Sequence, residues 1–268
     1  MSSTQLIRLD TFIALCGVES RRGAQILISK GMVKFNGKII SRVVRVKNND
    51  EISILFKNGW QRVTLQEKEV VVIALNKPTG YITSTKKLGK QKIVTDLIDW
   101  DPSLKPVGRL DKDSSGLLLF TNDIPILQKL TSPTSHIEKE YLVTIHLPKN
   151  LQKSDLENKL RRLSLGVKLE GIMTKKAKIS LSGFGGKEKA FVRVILKEGK
   201  NRQIRKMFGK FDLPVIGIHR VRIGGLELND LSLEKGKYTY LDKYLKEKLF
   251  NLPSVLNKNS PQPITPQK

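Results

Sequence analysis

The stretch GRLDKDSSGLLLFTND, residues 108–123, sets Arg109, Asp111, Lys112 and Asp113 directly against the apolar run Leu117-Leu118-Leu119-Phe120. Residues 116–121 read as a strand that is apolar on both faces and hence central in a sheet. Asn122 or Asp123 then caps a helix, with Pro125 tolerated in its first turn. Asp111 and Asp113 therefore fall on the loop entering a buried strand, where a rigid scaffold presents functional groups. Two other readings fit the same residues. An aspartate can hold a turn through its own backbone, and an Asp-x-Asp pair can ligate a divalent metal. Against the metal, Arg109 and Lys112 crowd the loop with positive charge. Only Asp101 and Asp123 add carboxylates nearby, whereas hard cations want several oxygen ligands.

Working outward, strand-like runs recur at 70–75, 141–147, 177–181 and 190–196, with helical patterns around 123–131, 153–162 and 201–210. They form no regular βα repeat, so the fold class expected is α+β with a mixed or antiparallel sheet. The N-terminal residues form a separate small module. RLDTFIALCG suits a short helix ended by Gly17, and Ser20 caps a second helix, RRGAQILISK, ended by Gly31. MVKFNGKII is a β-hairpin whose turn is Asn36-Gly37, and DEISILF is a further strand. The expected division is a module over 1–60, a polar linker over 61–69, a large domain over 70–250 and a disordered Pro-, Asn- and Gln-rich tail over 251–268.

The charge balance narrows the partner. Lys and Arg number 49 against 25 Asp and Glu, a formal net charge of +24, which favours a polyanion: nucleic acid first, an anionic membrane surface second. No apolar run approaches the ~20 residues of a membrane span, and MSSTQLIRLD lacks the pattern of a secretory signal. Cys16 is the only cysteine, which fits a reducing compartment, and with His136, His146 and His219 it makes no zinc-type spacing.

Four more segments carry candidate chemistry. In the N-terminal module Arg8, Arg21, Arg22, Lys30, Lys34, Lys38, Arg42 and Arg45 supply a basic surface. Arg21 and Arg22 lie in a first helical turn, where the macrodipole disfavours cations, so either an outside anion or simple solvation compensates them. In LKEGKNRQIRKMFGKF, residues 196–211, Asn201 can cap a helix that begins with Arg202, Arg205 and Lys206. Such a helix binds phosphates, turns one arginine to a carboxylate, or is merely solvated. In KEYLVTIHL, alternation puts Tyr141, Val143 and Ile145 on one strand face. Tyr141 is then a core-edge residue or a base-stacking platform. In LNKPTGYITS, Lys77-Pro78 and Gly80 make a rigid turn after a strand.

The string RLDTFIALCGVESRRGAQILISKGMVKFNG resembles the S4 RNA-binding domain, through Ser20-Arg21-Arg22 and the run from Val33 to Asn36-Gly37. That resemblance implies contact with structured RNA, with Arg8, Ser20, Arg21, Arg22, Lys34 and Asn36 as its RNA-binding residues. The order that follows, LNKPTGYITS, GRLDKDSSGLLLFTND, KEYLV, EGKNRQIRKMF and RVRIGGLEL, resembles the pseudouridine synthases of ribosomal RNA, in the branch that carries an N-terminal S4 domain. The resemblance spans roughly residues 5–250. It implies that Asp111, following Gly-Arg-Leu, is the catalytic aspartate and that Asp113 is not. It implies that Tyr141 is the active-site tyrosine and that Arg205 pairs with the catalytic carboxylate. Lys77, Arg109, Arg202 and Lys206 are the expected RNA contacts of the large domain. The chain departs from the family pattern at Ile218, where leucine is usual, and at Gly217, where a larger residue is common.

The implied reaction breaks the C–N glycosidic bond of uridine, turns the base and rejoins it through carbon. It neither gains nor loses atoms, so no cofactor and no metal are expected. A carboxylate suits it as a nucleophile at C1′ or on the uracil ring, or as a base at C2′. An arginine at hydrogen-bonding distance would keep that carboxylate ionised. The expected partner is structured ribosomal RNA with an unpaired or flipped uridine, bound by a cytoplasmic monomer with no membrane role. The rival readings are a noncatalytic RNA-binding or ribosome-assembly protein, and a metal-dependent nuclease using Asp111 and Asp113.

Overall fold

The computed structural model describes residues 6–47, 49–64, 69–87, 89–186 and 188–250. The tail expected over 251–268 and residues 65–68 of the linker expected over 61–69 lie outside the described residues. The chain divides into two compact units, 1–70 and 71–268.

The first unit runs β1 (Ile7–Arg8), α1 (Leu9–Leu15), α2 (Arg21–Ser29), β2 (Val33–Phe35), β3 (Lys38–Ile40), β4 (Arg45–Val46), β5 (Ile52–Phe56) and β6 (Gly59–Val63). Ser20 caps α2, its hydroxyl accepting from the Gly23 amide at 3.1 Å. Asn36 and Gly37 both have positive φ, 47° and 79°, which is the backbone a two-residue hairpin turn requires. β3-β2-β5-β6 form an antiparallel sheet. Leu9, Phe12, Ile13, Ala24, Ile28, Val33, Ile52 and Ile54 are the buried centre between helices and sheet. The linker expected from residue 61 is corrected at its start: Trp60, Gln61, Arg62 and Val63 pair with β5 as the outer strand. A polar strand at a sheet edge shows too little apolar alternation to be read from sequence.

The second unit contains β7 (Val72–Lys77), β8 (Lys105–Pro106), β9 (Ser115–Thr121), α3 (Ile124–Thr131), β10 (Lys139–His146), α4 (Lys153–Ser164), β11 (Lys168–Leu169), β12 (Ile172–Met173), β13 (Lys178–Phe184), β14 (Lys189–Leu196), α5 (Gln203–Gly209), β15 (Val215–Ile223), β16 (Leu226–Glu227), β17 (Tyr238–Tyr240) and α6 (Lys243–Phe250). Its sheet has the order β13-β14-β10-β15-β9-β7-β17, with β16 on β15 and β8 on β9. The sheet is mixed: β15 and β9 run parallel, through His219 opposite Ser115 and Arg220 opposite Gly116, and the other pairs are antiparallel.

β9 is buried on both faces, as its continuous apolar run requires. Leu118 and Phe120 join one core with Tyr141, Val143, Ile145, Ile204 and Phe208. Leu117 and Leu119 join the other, with Leu130 of α3 and Leu249 of α6. Asp123 caps α3, accepting from the Ile126 amide at 2.6 Å. β15 was not among the expected strands, because its interior holds Gly217, His219, Arg220 and Arg222, which break the apolar alternation although both arginines are buried. Where β9 meets β15, Gly116 has φ 101°, and a Cβ there would collide with the Arg220 carbonyl. Only glycine lets the two backbones come this close.

Candidate active site

Lys77, the last residue of β7, has no exposed surface. Its ammonium donates to three backbone carbonyls: Ser114 at 2.7 Å, Asp111 at 3.1 Å and Pro78 at 3.1 Å. It thus ties the end of one central strand to the loop entering the next. Three further contacts close that loop. The Ser114 amide donates to the Asp111 carbonyl at 3.0 Å, the Gly80 amide to the Lys112 carbonyl at 2.7 Å, and the Thr83 hydroxyl to the Leu110 carbonyl at 2.7 Å. Burial pushes the Lys77 pKa down to about 8, while the charges of Asp113 and Asp111 pull it back up. The expectation that Lys77 contacts RNA is corrected: its charge is enclosed, and its donors are spent on the loop.

The side chains of Asp111 and Asp113 are 31% and 50% exposed. α5 brings two guanidinium groups to them. Arg202 Nη1 stands 3.8 Å from each carboxylate. Arg205 Nη2 pairs with Asp113 Oδ2 at 2.6 Å, and its Nη1 donates to the Val215 carbonyl at 2.8 Å. The expected Asp111–Arg205 pair is therefore corrected. With one nitrogen fixed by the β15 backbone, the planar fork of Arg205 meets Asp113, and the guanidinium beside Asp111 is that of Arg202. Among the described residues no hydrogen bond reaches the Asp111 carboxylate. Asn201 does not cap α5. Arg202 occupies the N-cap position at φ 49° without a capping hydrogen bond, and Gln203 ties the turn by accepting from the Lys200 amide at 3.0 Å and donating to Glu198 at 2.6 Å.

Tyr141 is buried on the core face of β10, and the Arg220 guanidinium lies over its ring, 6.0 Å from the centroid. Arg220 and Asp10 are residues that sequence reasoning missed. The signal for Arg220 was its place as the first residue of the family-like motif RVRIGG; nothing local marked Asp10. Of the remaining expected contacts in this unit, Arg109 is exposed, and Lys206 pairs with the exposed Glu170 at 2.6 Å.

In the first unit Asp10 is fully buried and gathers Arg8 at 3.0 Å, Arg21 at 3.3 Å and the Gln25 amide at 2.6 Å. Burial works against its charge, but the Arg8 and Gln25 hydrogen bonds and the Arg21 and Arg8 charges together hold it well below the usual carboxylate range. Arg21 thus has an internal anion. Lys34 lies over the Trp60 ring at 4.3 Å. Asn36 accepts from the Glu51 amide at 2.9 Å, so its side chain serves the hairpin. Ser20 is spent as a helix cap, while Arg22 and Lys38 stand exposed.

A buried loop anchor, a partly exposed aspartate, two arginines and a strand tyrosine thus come from four segments far apart in the chain. The family model for RNA pseudouridylate synthase matches residues 71–210, a span that includes all four. The chain belongs to the RNA pseudouridylate synthase family. Dual-specificity RNA pseudouridine synthase RluF of Escherichia coli is 36% identical over 228 residues, covering 85% of this chain and 73% of the relative. Ribosomal large subunit pseudouridine synthase B of Bacillus subtilis is 37% identical over 227 residues, covering 84% of this chain and 88% of the relative. A crystal structure of a pseudouridylate synthase matches with a TM-score of 0.61 at 32% identity, over 91% of this chain and 99% of the other. The mixed sheet is accordingly a pseudouridine synthase fold, and the enzyme class is isomerase. No helix among the described residues is long and apolar enough to cross a membrane.

Proposed function

We propose that this pseudouridine synthase isomerises a uridine of ribosomal RNA, with Asp111 as the catalytic carboxylate. The observation that carries the reading is the contrast within one loop. Asp113 is tied to Arg205 at 2.6 Å, whereas Asp111 is held only through its backbone and keeps its carboxylate lone pairs uncommitted. A carboxylate in that state is available to attack or to take a proton. The Arg202 guanidinium stands 3.8 Å away, near the carboxylate without covering it. Tyr141 supplies an aromatic surface for the displaced uracil. The reaction breaks C1′–N1, forms C1′–C5, releases the C5 proton and leaves a proton on N1.

The target uridine leaves its stack at a cost of a few kcal/mol, least in an unpaired or bulged site. The first unit acts as an S4-type RNA-docking module, presenting Arg22, Lys34 and Lys38, and the protein works as a cytoplasmic monomer. The relative named ribosomal large subunit pseudouridine synthase B supports this substrate class. The nuclease reading is disfavoured on chemistry: Arg205 occupies Asp113, and Arg202 supplies positive charge where a metal would stand.

The test incubates the full chain with ribosomal RNA and maps pseudouridine by carbodiimide-dependent primer-extension stops. A site-specific stop is expected with the wild type and none with Asp111→Asn. Retained activity in that variant moves the catalytic role elsewhere. RNA binding without any product marks a noncatalytic protein instead.

A further inference from the structure

Two arginines lie two residues apart on β15, both buried, and their surroundings differ sharply. Arg222 is saturated: it meets Glu140 at 2.8 Å, Glu138 at 3.3 Å and the Gly224 carbonyl at 2.6 Å. Arg220, 2% exposed, donates Nε to the Leu117 carbonyl at 2.7 Å and has no partner for Nη2. No carboxylate among the described residues pairs with it. Its charge is felt by the buried cation Lys77 and the half-buried Lys139. Burial pushes the pKa of each down to about 8; the Arg220 charge adds to this at Lys139, and at Lys77 it works with burial against Asp113 and Asp111.

A fold that needed only volume at this position would gain by an apolar side chain, because an uncompensated buried charge is costly. The charge is compensated when a negative charge arrives nearby. We propose that the Arg220 guanidinium, lying over the Tyr141 ring, stabilises the negative charge that the uracil carries once its glycosidic bond has broken. This inference rests on the function proposed above, with uracil stacked on Tyr141.

In the step concerned, the C1′–N1 electron pair leaves with the base, which becomes an anion delocalised over N1, O2 and O4. Carbon C5 then attacks C1′, the C5 proton is released and N1 is protonated, so electrons and atoms balance without a further reactant. A fixed cation in a water-poor site acts on such an anion without reorganising.

The experiment compares wild type, Arg220→Met and Arg220→Lys on a ribosomal RNA fragment in single turnover, with melting curves as the check on folding. Expected for Arg220→Met is a loss in kcat of about a hundredfold, with KM within about twofold, as for removal of one preorganised charge-stabilising group. Arg220→Lys keeps the charge and should lose no more than about tenfold. The same fragment with 5-fluorouridine at the target, whose base forms a more stable anion, should show a smaller Arg220→Met deficit in consumption of the starting nucleotide. An equal deficit with both nucleotides means that Arg220 is structural and overturns the inference. Should Arg220→Met not fold, Arg220→Gln, which keeps a donor for Leu117, is read in the same way. A wild type that makes no pseudouridine refutes the underlying function. A wild type matched by Arg220→Met refutes the inference alone.

Discussion

Asp113 stands two residues from Asp111, and the pair divides two tasks between like side chains. The 2.6 Å contact with Arg205 and the Arg205 bond to the Val215 carbonyl make Asp113 the carboxylate that sets the guanidinium in place. Asp113→Asn should therefore lower kcat by roughly tenfold while leaving activity measurable, because Val215 still holds one nitrogen and Arg202 still flanks Asp111. Asp111→Asn should abolish product. Initial rates on one RNA fragment compare the two directly, and equal loss in both variants would show that the aspartates act as a single unit. The division also accounts for the left-handed backbone at Arg202. A non-glycine residue at φ 49° bears a cost of about 1 kcal/mol or more, and here that turn brings a second guanidinium within 3.8 Å of both carboxylates.

At the scale of elements, the site rests on the parallel contact between β9 and β15. Gly116 opposite Arg220 allows the two strands to approach, with Arg220 over the Tyr141 ring and β9 starting directly after the Asp111 loop. Gly116→Ala adds a Cβ against the Arg220 carbonyl at a backbone angle that disfavours any side chain. Parting the strands should cost about 3 kcal/mol or more, a melting temperature lower by about 10 °C for a unit of this size. Scanning calorimetry checks it, and an unchanged melting temperature would show that the strands yield without cost. A buried lysine then joins β7 to the same loop through three carbonyls, so the aspartate stands on a frame crossed by three adjacent strands.

For the whole molecule, a net charge of +24 makes RNA affinity a matter of ionic strength. Arg22 and Lys38 are exposed cations without ion-pair partners among the described residues of the first unit. Replacing both by Glu should raise KM for ribosomal RNA several-fold, leave kcat at saturating RNA unchanged, and make the log–log salt dependence of binding shallower by about two ions. Filter binding across a salt series measures this; an unchanged slope would remove those residues from the RNA interface. The charge, the helix caps at Ser20 and Asp123, the hairpin turn at Asn36-Gly37 and the strand behind Asp111 were all legible in the sequence. Each depends on near neighbours: a cap on three residues, a turn on two, a central strand on its own apolar run. Partners were not legible. Arg205 pairs with Asp113 in place of Asp111, Lys77 is enclosed beneath the loop, and Arg220 is buried without a carboxylate, because these outcomes depend on how β7, α5 and β15 lie against segments tens of residues or more away. The sequence by itself determined the central strand β9, the helix caps, the hairpin turn and the loop that carries Asp111, while the polar strands β6 and β15 stayed hidden in it. The tertiary structure alone decided which charges meet, since an ion pair is settled by distances of a few ångströms that no local spacing encodes.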